Sequence, residues 1–478
     1  MFDVTIIGCG IVGAATAQML ARYQLRVGML EKENDVSMGT TKANSAIIHS
    51  GYDPLPGTLM AKLNVRGAEL TKRLTEELGV DYRQVGSLTL AFTDEEIKTI
   101  QTLYERGLRN GVPGIQILSP EEVRSKEKNL SEKVKCALFC PTAGILMPWR
   151  FAIALAENAV LNGAQLHLNT RVTGIERAGG IYTIHTGKGD FETRYIINAA
   201  GVHADEIHCM VAPKRFEPKL SRGQYYLLDK CSGDLISTVV FQCPTAHGKG
   251  VLVAPTIDGN LIVGPNAEPV EDGDDVATTA AGLEFVLQKA ALSVPSLNFR
   301  DSIRNFAGVR AASDQNDFII EEAAPGFIDA AGIKSPGLSS APAIAEYIRD
   351  LLQRAGLPLA LKKSLIKNEK RIEFKKLSPE EKNTVIHNNP LYGRIICRCE
   401  TVSEGEIVDA LHSPVPPSTI DGVKRRCNAG LGRCQGGFCG PRVHEIIARE
   451  RKMNPKDVLK DQAGTVILTG ETKAGGVQ

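Results

Sequence analysis

Hydrophobic and polar positions divide the chain into recognisable elements. Residues 3–8 form a short continuous apolar run, the pattern of a buried strand. Residues 11–23 place apolar side chains at helical spacing, and residues 25–31 return to a strand pattern. Strand, helix and strand in this order predict the opening of a βαβ unit. Period-two alternation resumes over 86–92, 180–186, 224–229, 250–255 and 260–263, which predicts an antiparallel sheet inserted into this first unit or packed beside it. Helical periodicity predicts helices over 61–78, 94–110, 151–162 and 341–354. From 361 to 376 the chain becomes lysine-rich and weakly patterned. A solvated linker or exposed helix accounts for it, with a membrane-surface patch as the alternative. No internal repeat is visible, and the charged last 30 or so residues read as a peripheral tail. The fold class expected is α/β (α+β overall).

Composition narrows the class. The 478 residues allow two or three domains, and 43% apolar with 23% charged residues is ordinary for a soluble globular protein. A formal net charge of +1 with no basic arm gives no reason to expect a nucleic-acid partner. Met1 leads directly into the first strand, so no secretory leader is expected. No apolar run reaches the roughly 18–20 residues that span a bilayer. A cytoplasmic location is expected, with reduced cysteines, and clustered cysteines there point to metal or redox chemistry.

The first turn carries that chemistry. Gly8-Cys-Gly10-Ile-Val-Gly13 stands between strand and helix as a dinucleotide-binding fingerprint. Its first glycine allows the bend, the second lets backbone approach a pyrophosphate, and the third lets helix and strand pack closely. Unpaired N–H groups at the helix start attract phosphate. Glu31 ends the next strand, 18 residues past Gly13, where a carboxylate can accept hydrogen bonds from a ribose. The fingerprint alone does not separate FAD from NAD. Three later segments favour FAD: the polar turn Thr40-Thr41-Lys-Ala-Asn44-Ser45, Asn198-Ala-Ala200-Gly201 after an apolar strand, and Ser335-Pro-Gly337-Leu338-Ser339 ahead of a helix. The last two resemble flavoprotein motifs that meet the nucleotide and close over the isoalloxazine ring.

Five of the eleven cysteines fall within 43 residues near the end, as Cys397-Arg-Cys399, Cys427 and Cys434-Gln-Gly-Gly-Phe-Cys439. Cys-x-Cys and Cys-x4-Cys separated by 34 residues supply four thiolates, which suit a tetrahedral zinc or a [2Fe–2S] cluster. Spacing leaves these two nearly even. Surrounding glycines whose N–H groups can reach cluster sulfurs favour iron, as does a preceding flavin domain. Cys427 reads as a spare thiol or a replacement ligand for Cys434, and the six remaining cysteines read as structural.

The stretches Ala43-Asn-Ser-Ala-Ile-Ile-His49-Ser-Gly-Tyr-Asp53, Ser221-Arg-Gly-Gln-Tyr225, Pro244-Thr-Ala-His-Gly-Lys249, Phe306-Ala-Gly308-Val-Arg310 and Gly332-Ile-Lys-Ser335 resemble the FAD-dependent glycerol-3-phosphate dehydrogenase/oxidase group of the D-amino-acid-oxidase-like superfamily. The cysteine segment resembles the bacterioferritin-associated-ferredoxin-like [2Fe–2S] domain of the anaerobic dehydrogenase large subunits. The resemblance implies an FAD-dependent oxidoreductase domain over 1–360, with FAD-binding parts at about 1–80, 150–210 and 305–360 and a substrate domain between them. A linker over 361–392, a [2Fe–2S] domain over 393–445 and a tail over 446–478 follow. It implies cofactor contacts from Gly8, Gly10, Gly13, Glu31, Thr40, Thr41, Asn44, Ser45, Val172, Ala200, Gly201, Gly308, Gly337, Leu338 and Ser339, and cluster ligands Cys397, Cys399, Cys434 and Cys439. His49, whose neutral imidazole can take a hydroxyl proton, is expected beside the flavin. Arg310 and Lys249 are expected to hold an anionic substrate during catalysis, helped by Ser45 and Ser335. Glycerol 3-phosphate is the expected substrate and redox partner subunits the expected acceptors, with membrane association at most peripheral, through a partner. The rivals are an L-2-hydroxyglutarate or other 2-hydroxy-acid dehydrogenase and a non-catalytic electron-transfer subunit. An amine or amino-acid oxidase fits less well.

Overall fold

The computed structural model describes residues 1–244 and 250–471. The opening βαβ unit is present: β1 (Phe2–Ile7), α1 (Ile11–Leu20) and β2 (Val27–Leu30). β1 lies parallel between β2 and the strand Phe191–Asn198. Gln165–His167 extends this sheet beyond β2, and Phe327–Ala331 pairs parallel with Phe191–Asn198. The pattern at 180–186, expected in the antiparallel sheet, instead forms Ile181–Thr186 within this nucleotide-type sheet, as an antiparallel extension beside Phe191–Asn198. Alternation reports a strand with one exposed face, and not which sheet it joins.

Helix α1 departs from its amphipathic reading. Nine of its ten residues are buried, because helices Pro148–Leu161 and Gly337–Arg354 pack against it in the same apolar core as β1 and β2. Its Gly13, Ala14, Ala15 and Ala17 are small enough to admit those neighbours.

The second sheet has nine strands, mostly antiparallel. Ser221–Leu228 is its spine, flanked by Leu261–Gly264 and Ser302–Arg310. The part of the latter strand from residue 305, expected among the cofactor-binding parts, belongs to this sheet with the rest of the strand, and at Gly308 it meets the turn that begins at Thr40. A Cβ at Gly308 would lie 2.0 Å from the Ala43 carbonyl, so glycine alone allows this approach. The Thr40 hydroxyl donates to the Val309 carbonyl (2.7 Å) and closes the junction.

The lysine-rich segment forms no helix before Phe374–Lys376. It is tacked along Pro148–Leu161: Ile366 N–H donates to Asn162 Oδ1 (2.9 Å), and Arg371 pairs with Glu157 (2.7 Å). A capped helix, Pro379–Asn388, leads into the C-terminal module. That module has a short hairpin (Ile395–Cys397 with Val402–Ser403) and helices Glu404–Leu411, Ile420–Cys427 and Gly440–Arg451. The tail expected from 446 begins inside the last of these helices. Ile446, Ile447 and Val458 are buried in the module's core, so residues 446–458 are packed and not peripheral.

The module docks through charge. The buried Asp35 of the nucleotide domain meets Arg426 (2.8 Å) and Arg425 (3.2 Å), and Asp461 pairs with Arg425 (2.7 Å) and Lys42 (2.9 Å). Against the second sheet, Lys230 pairs with the buried Glu400 (2.7 Å) and Asp229 with Arg433 (2.5 Å). Burial alone would raise Asp35 and Asp461. Arg426 and Arg425 reverse this at Asp35, while Arg425 and Lys42 hold Asp461 down at about 2. Both carboxylates have folded-state pKa values below the unfolded value of about 3.9. Their contribution is therefore full above about pH 4 and lost as pH falls through the folded values. Acidification from about pH 4 toward pH 2 should release the module and open the 361–392 segment to limited proteolysis. In Asp461→Asn the transition should be shallower. An identical profile in that variant would show that docking rests on other contacts.

Candidate active site and cysteine centre

The glycine turn is as tight as the fingerprint requires. Gly8 has φ +95°, and a Cβ on Gly13 would lie 2.0 Å from the Gly8 carbonyl. Ile11 N–H donates to Thr41 Oγ1 (2.9 Å), bringing the Thr40–Lys42 turn against the helix start, and Gly10 lies beside the same hydroxyl. Glu31 is buried at the end of β2, where its oxygens accept from Cys9 N–H (2.8 Å) and Glu33 N–H (3.0 Å). Burial raises its carboxyl against the pull of those two N–H groups. These features fit a dinucleotide: a tight turn, a helix start and a fixed carboxylate on one side of the sheet.

The remaining expected cofactor residues divide by what their side chains do. Asn44 donates to the Thr40 and Thr41 carbonyls and accepts from Ala46 N–H, so its amide is spent shaping its own turn. The buried Ser339 accepts from His49 N–H (2.7 Å) and faces the Ile47 carbonyl at 3.5 Å, making it a strut for His49. Gly337 and Leu338 open the same helix. Ala200 N–H bonds Asn198 Oδ1 (3.3 Å), Gly201 follows with φ +63°, and Val172 starts an outer strand of the nucleotide sheet.

Four contacts among the described residues hold His49. Its N–H meets Ser339, its carbonyl accepts from Asn64 Nδ2 (2.8 Å), its ring lies 5.6 Å from the Phe241 ring at 26°, and Nε2 lies 3.3 Å from Ser335 Oγ. A pocket lined by His49, Asp53, Asn64 and Ser335 opens beside it. Four residues earlier, Ser45 Oγ lies 3.3 Å from Tyr225 OH. Burial raises the Tyr225 hydroxyl, opposed by Arg310 and Ser45. Arg310 donates to Ser221 Oγ (3.2 Å) and to the Asn266 carbonyl (3.0 Å), which sets the guanidinium in place. The structure thus forms a histidine–serine pair and a Ser45–Tyr225–Arg310 corner. Lys249 lies outside the described residues.

Tyr225, Ser221 and Phe241 escaped the sequence reading as site residues. A signal existed for two of them: alternation along Ser221–Leu228 puts Ser221, Gly223 and Tyr225 on one face, the face that meets Arg310.

The four expected cysteine ligands gather as two pairs. Cys399 Sγ lies 3.6 Å from Cys434 Sγ toward the surface, and buried Cys397 hydrogen-bonds buried Cys439. The Cys397 thiol is lowered by Cys439 and by the N–H groups of Gly430 and Glu400. Cys434 is lowered by the N–H groups of Phe438, Gly436 and Gly437. Among the described residues no three His, Cys, Asp or Glu side chains converge to hold a single ion. Two pairs backed by N–H donors fit a two-iron cluster, which takes two thiolates per iron, better than one tetrahedral ion. Cys427 turns back onto its own helix, its Sγ 3.4 Å from the Val423 carbonyl, and burial pushes its thiol up to about 12.

Residues 3–351 match the family model described as FAD dependent oxidoreductase, and the chain belongs to that family. Residues 395–449 match a BFD-like [2Fe–2S] binding domain, so FAD and a [2Fe–2S] cluster are its two cofactors. The chain is 50% identical over 477 residues, 99% of each chain, to a glycerol 3-phosphate dehydrogenase of Caloramator mitchellensis. It superimposes with a TM-score of 0.72 on L-alpha-glycerophosphate oxidase from Mycoplasma pneumoniae with FAD bound, at 35% identity over 76% of this chain and 97% of the other. It is also 31% identical to human mitochondrial L-2-hydroxyglutarate dehydrogenase, over 74% of this chain and 89% of that one.

Proposed function

We propose that this chain oxidises the C2 hydroxyl of sn-glycerol 3-phosphate to dihydroxyacetone phosphate and delivers the electrons to a protein acceptor. The observation that carries this reading is a fixed imidazole, His49, four residues after Ser45, whose hydroxyl meets Tyr225 on the strand where Ser221 fixes the Arg310 guanidinium. Bound FAD supplies a two-electron acceptor and the [2Fe–2S] cluster a one-electron carrier.

The chain's own residues do the rest. His49 Nε2 takes the C2 hydroxyl proton when the substrate hydroxyl displaces Ser335 Oγ, which lies 3.3 Å from that nitrogen. Arg310 receives the phosphate in a bidentate fork, with Ser45 and Tyr225 as hydroxyl donors beside it. Lys249 adds a second cation by sequence. Cys397, Cys399, Cys434 and Cys439 hold the cluster, and Cys427 is a spare thiol. The outward Cys399–Cys434 edge, where Phe438 stands 86% exposed between Cys434 and Cys439 in sequence, is the face that would meet an acceptor. The acceptor docks there as a separate subunit. No helix among the described residues is long and apolar enough to cross a membrane.

An anionic corner suits dicarboxylates too, so 2-hydroxyglutarate is the rival to test. With an artificial dye acceptor, turnover should be fast with glycerol 3-phosphate and slow with glycerol, which lacks the anion, and with L-2-hydroxyglutarate. Faster turnover with the hydroxy acid would overturn the substrate assignment.

A further inference from the structure

Residues 31–42 serve two neighbours at once. Toward the nucleotide turn, Glu31 accepts from Cys9 N–H (2.8 Å), Ser37 N–H donates to the Cys9 carbonyl (3.0 Å), and Thr41 accepts from Ile11 N–H (2.9 Å). Between these anchors the same stretch is gripped by the C-terminal module. Asn34 Nδ2 donates to the Asp461 carbonyl (2.8 Å), Asp35 takes Arg425 at 3.2 Å and Arg426 at 2.8 and 2.9 Å, and Lys42 meets Asp461 at 2.9 Å. The module's Val415 is buried in the same apolar core as Val36, Cys9 and Ile11.

Burial decides what this grip is worth. The side chains of Asp35, Arg425 and Arg426 are 2%, 4% and 0% exposed. An exposed ion pair contributes little, but a buried charge that loses its partner is strongly destabilising. Asp35 cannot stay in place without the module's arginines. The loop that carries Asp35 also carries Glu31 and Thr41, so its shape at the glycine turn depends on the docked module.

We propose that the C-terminal module has a second function besides holding its cluster: it latches the FAD-binding segment 31–42, so that retention of FAD depends on the module being docked. The coupling runs both ways. If docking tightens FAD binding, bound FAD tightens docking by the same factor. The proposal is independent of which substrate is oxidised.

Full-length holoprotein carrying Asp35→Asn or Asp461→Asn tests it. Asp35→Asn keeps shape and removes the charge. Its FAD should dissociate roughly tenfold faster, read as recovery of flavin fluorescence on dilution, while visible circular dichroism shows the cluster retained. Asp461→Asn should show a smaller acceleration, and Glu445→Gln on the exposed face of the module none. In the unaltered protein, removing FAD should speed protease cleavage within 361–392, a response that a purely structural ion pair would not give. Unchanged FAD dissociation in Asp35→Asn with the cluster intact would overturn the proposal. If Asp35→Asn does not fold, unchanged dissociation in Asp461→Asn would overturn it.

Discussion

His49→Asn should reduce its flavin with glycerol 3-phosphate roughly 10²- to 10⁴-fold more slowly than the unaltered enzyme, the usual contribution of a positioned general base. Asparagine keeps the backbone N–H to Ser339 and the carbonyl to Asn64, so the loop keeps its shape while the basic nitrogen goes. Substrate affinity should change far less, because the anion is held at Arg310, fixed by Ser221 and Asn266 on another strand. Anaerobic stopped-flow over a range of substrate concentrations separates the two effects. The limiting rate should collapse and the half-saturating concentration should stay close to its original value. Arg310→Lys should do the reverse, since lysine cannot form the bidentate fork. A His49 variant in which only the half-saturating concentration rises would make this histidine a binding group.

Cys434→Ser should separate the two halves of the electron path. Cys434 sits in the outward pair and is only half-buried, so serine can replace it without opening the module's core. Iron should be lost and transfer to a protein acceptor should fall to background, while reduction of the flavin by substrate persists. Cys427→Ser should keep its iron, because that thiol is bonded to the Val423 carbonyl. Iron loss in Cys427→Ser with retention in Cys434→Ser would reverse the assignment of these two cysteines.

What could be read from the sequence was whatever depends on local chemistry. The turn from Gly8 to Gly13 is spelled by the backbone it needs, and the four cysteine positions by the sulfur they supply. His49 stands in a stretch whose resemblance supplies the expectation of its role. The corner of Ser45, Tyr225 and Arg310 was less legible, because strand pairing across 89 residues brings Ser221 opposite Arg310. Nothing near Arg310 in sequence announces Tyr225. Helix α1 reads as amphipathic because the helices that complete its burial are remote in sequence. The docking of the module was invisible for a related reason. Arginine and aspartate normally mark solvated surface, and only the fold shows Asp35, Arg425 and Arg426 sealed together. The charged stretch after 446 misled in the same way, with Asp461 tied to both Arg425 and Lys42.

The central claim is that one chain takes electrons from glycerol 3-phosphate and shares them between a flavin and an iron–sulfur centre. An anaerobic titration of the iron-replete protein tests it most directly, following the flavin band near ~450 nm and the cluster by electron paramagnetic resonance. The account predicts that glycerol 3-phosphate bleaches the flavin and reduces the cluster, approaching about 1.5 equivalents per chain for three electrons, while L-2-hydroxyglutarate does neither. A flavin that bleaches only with the hydroxy acid, or that ignores both compounds while FAD remains bound, would contradict it.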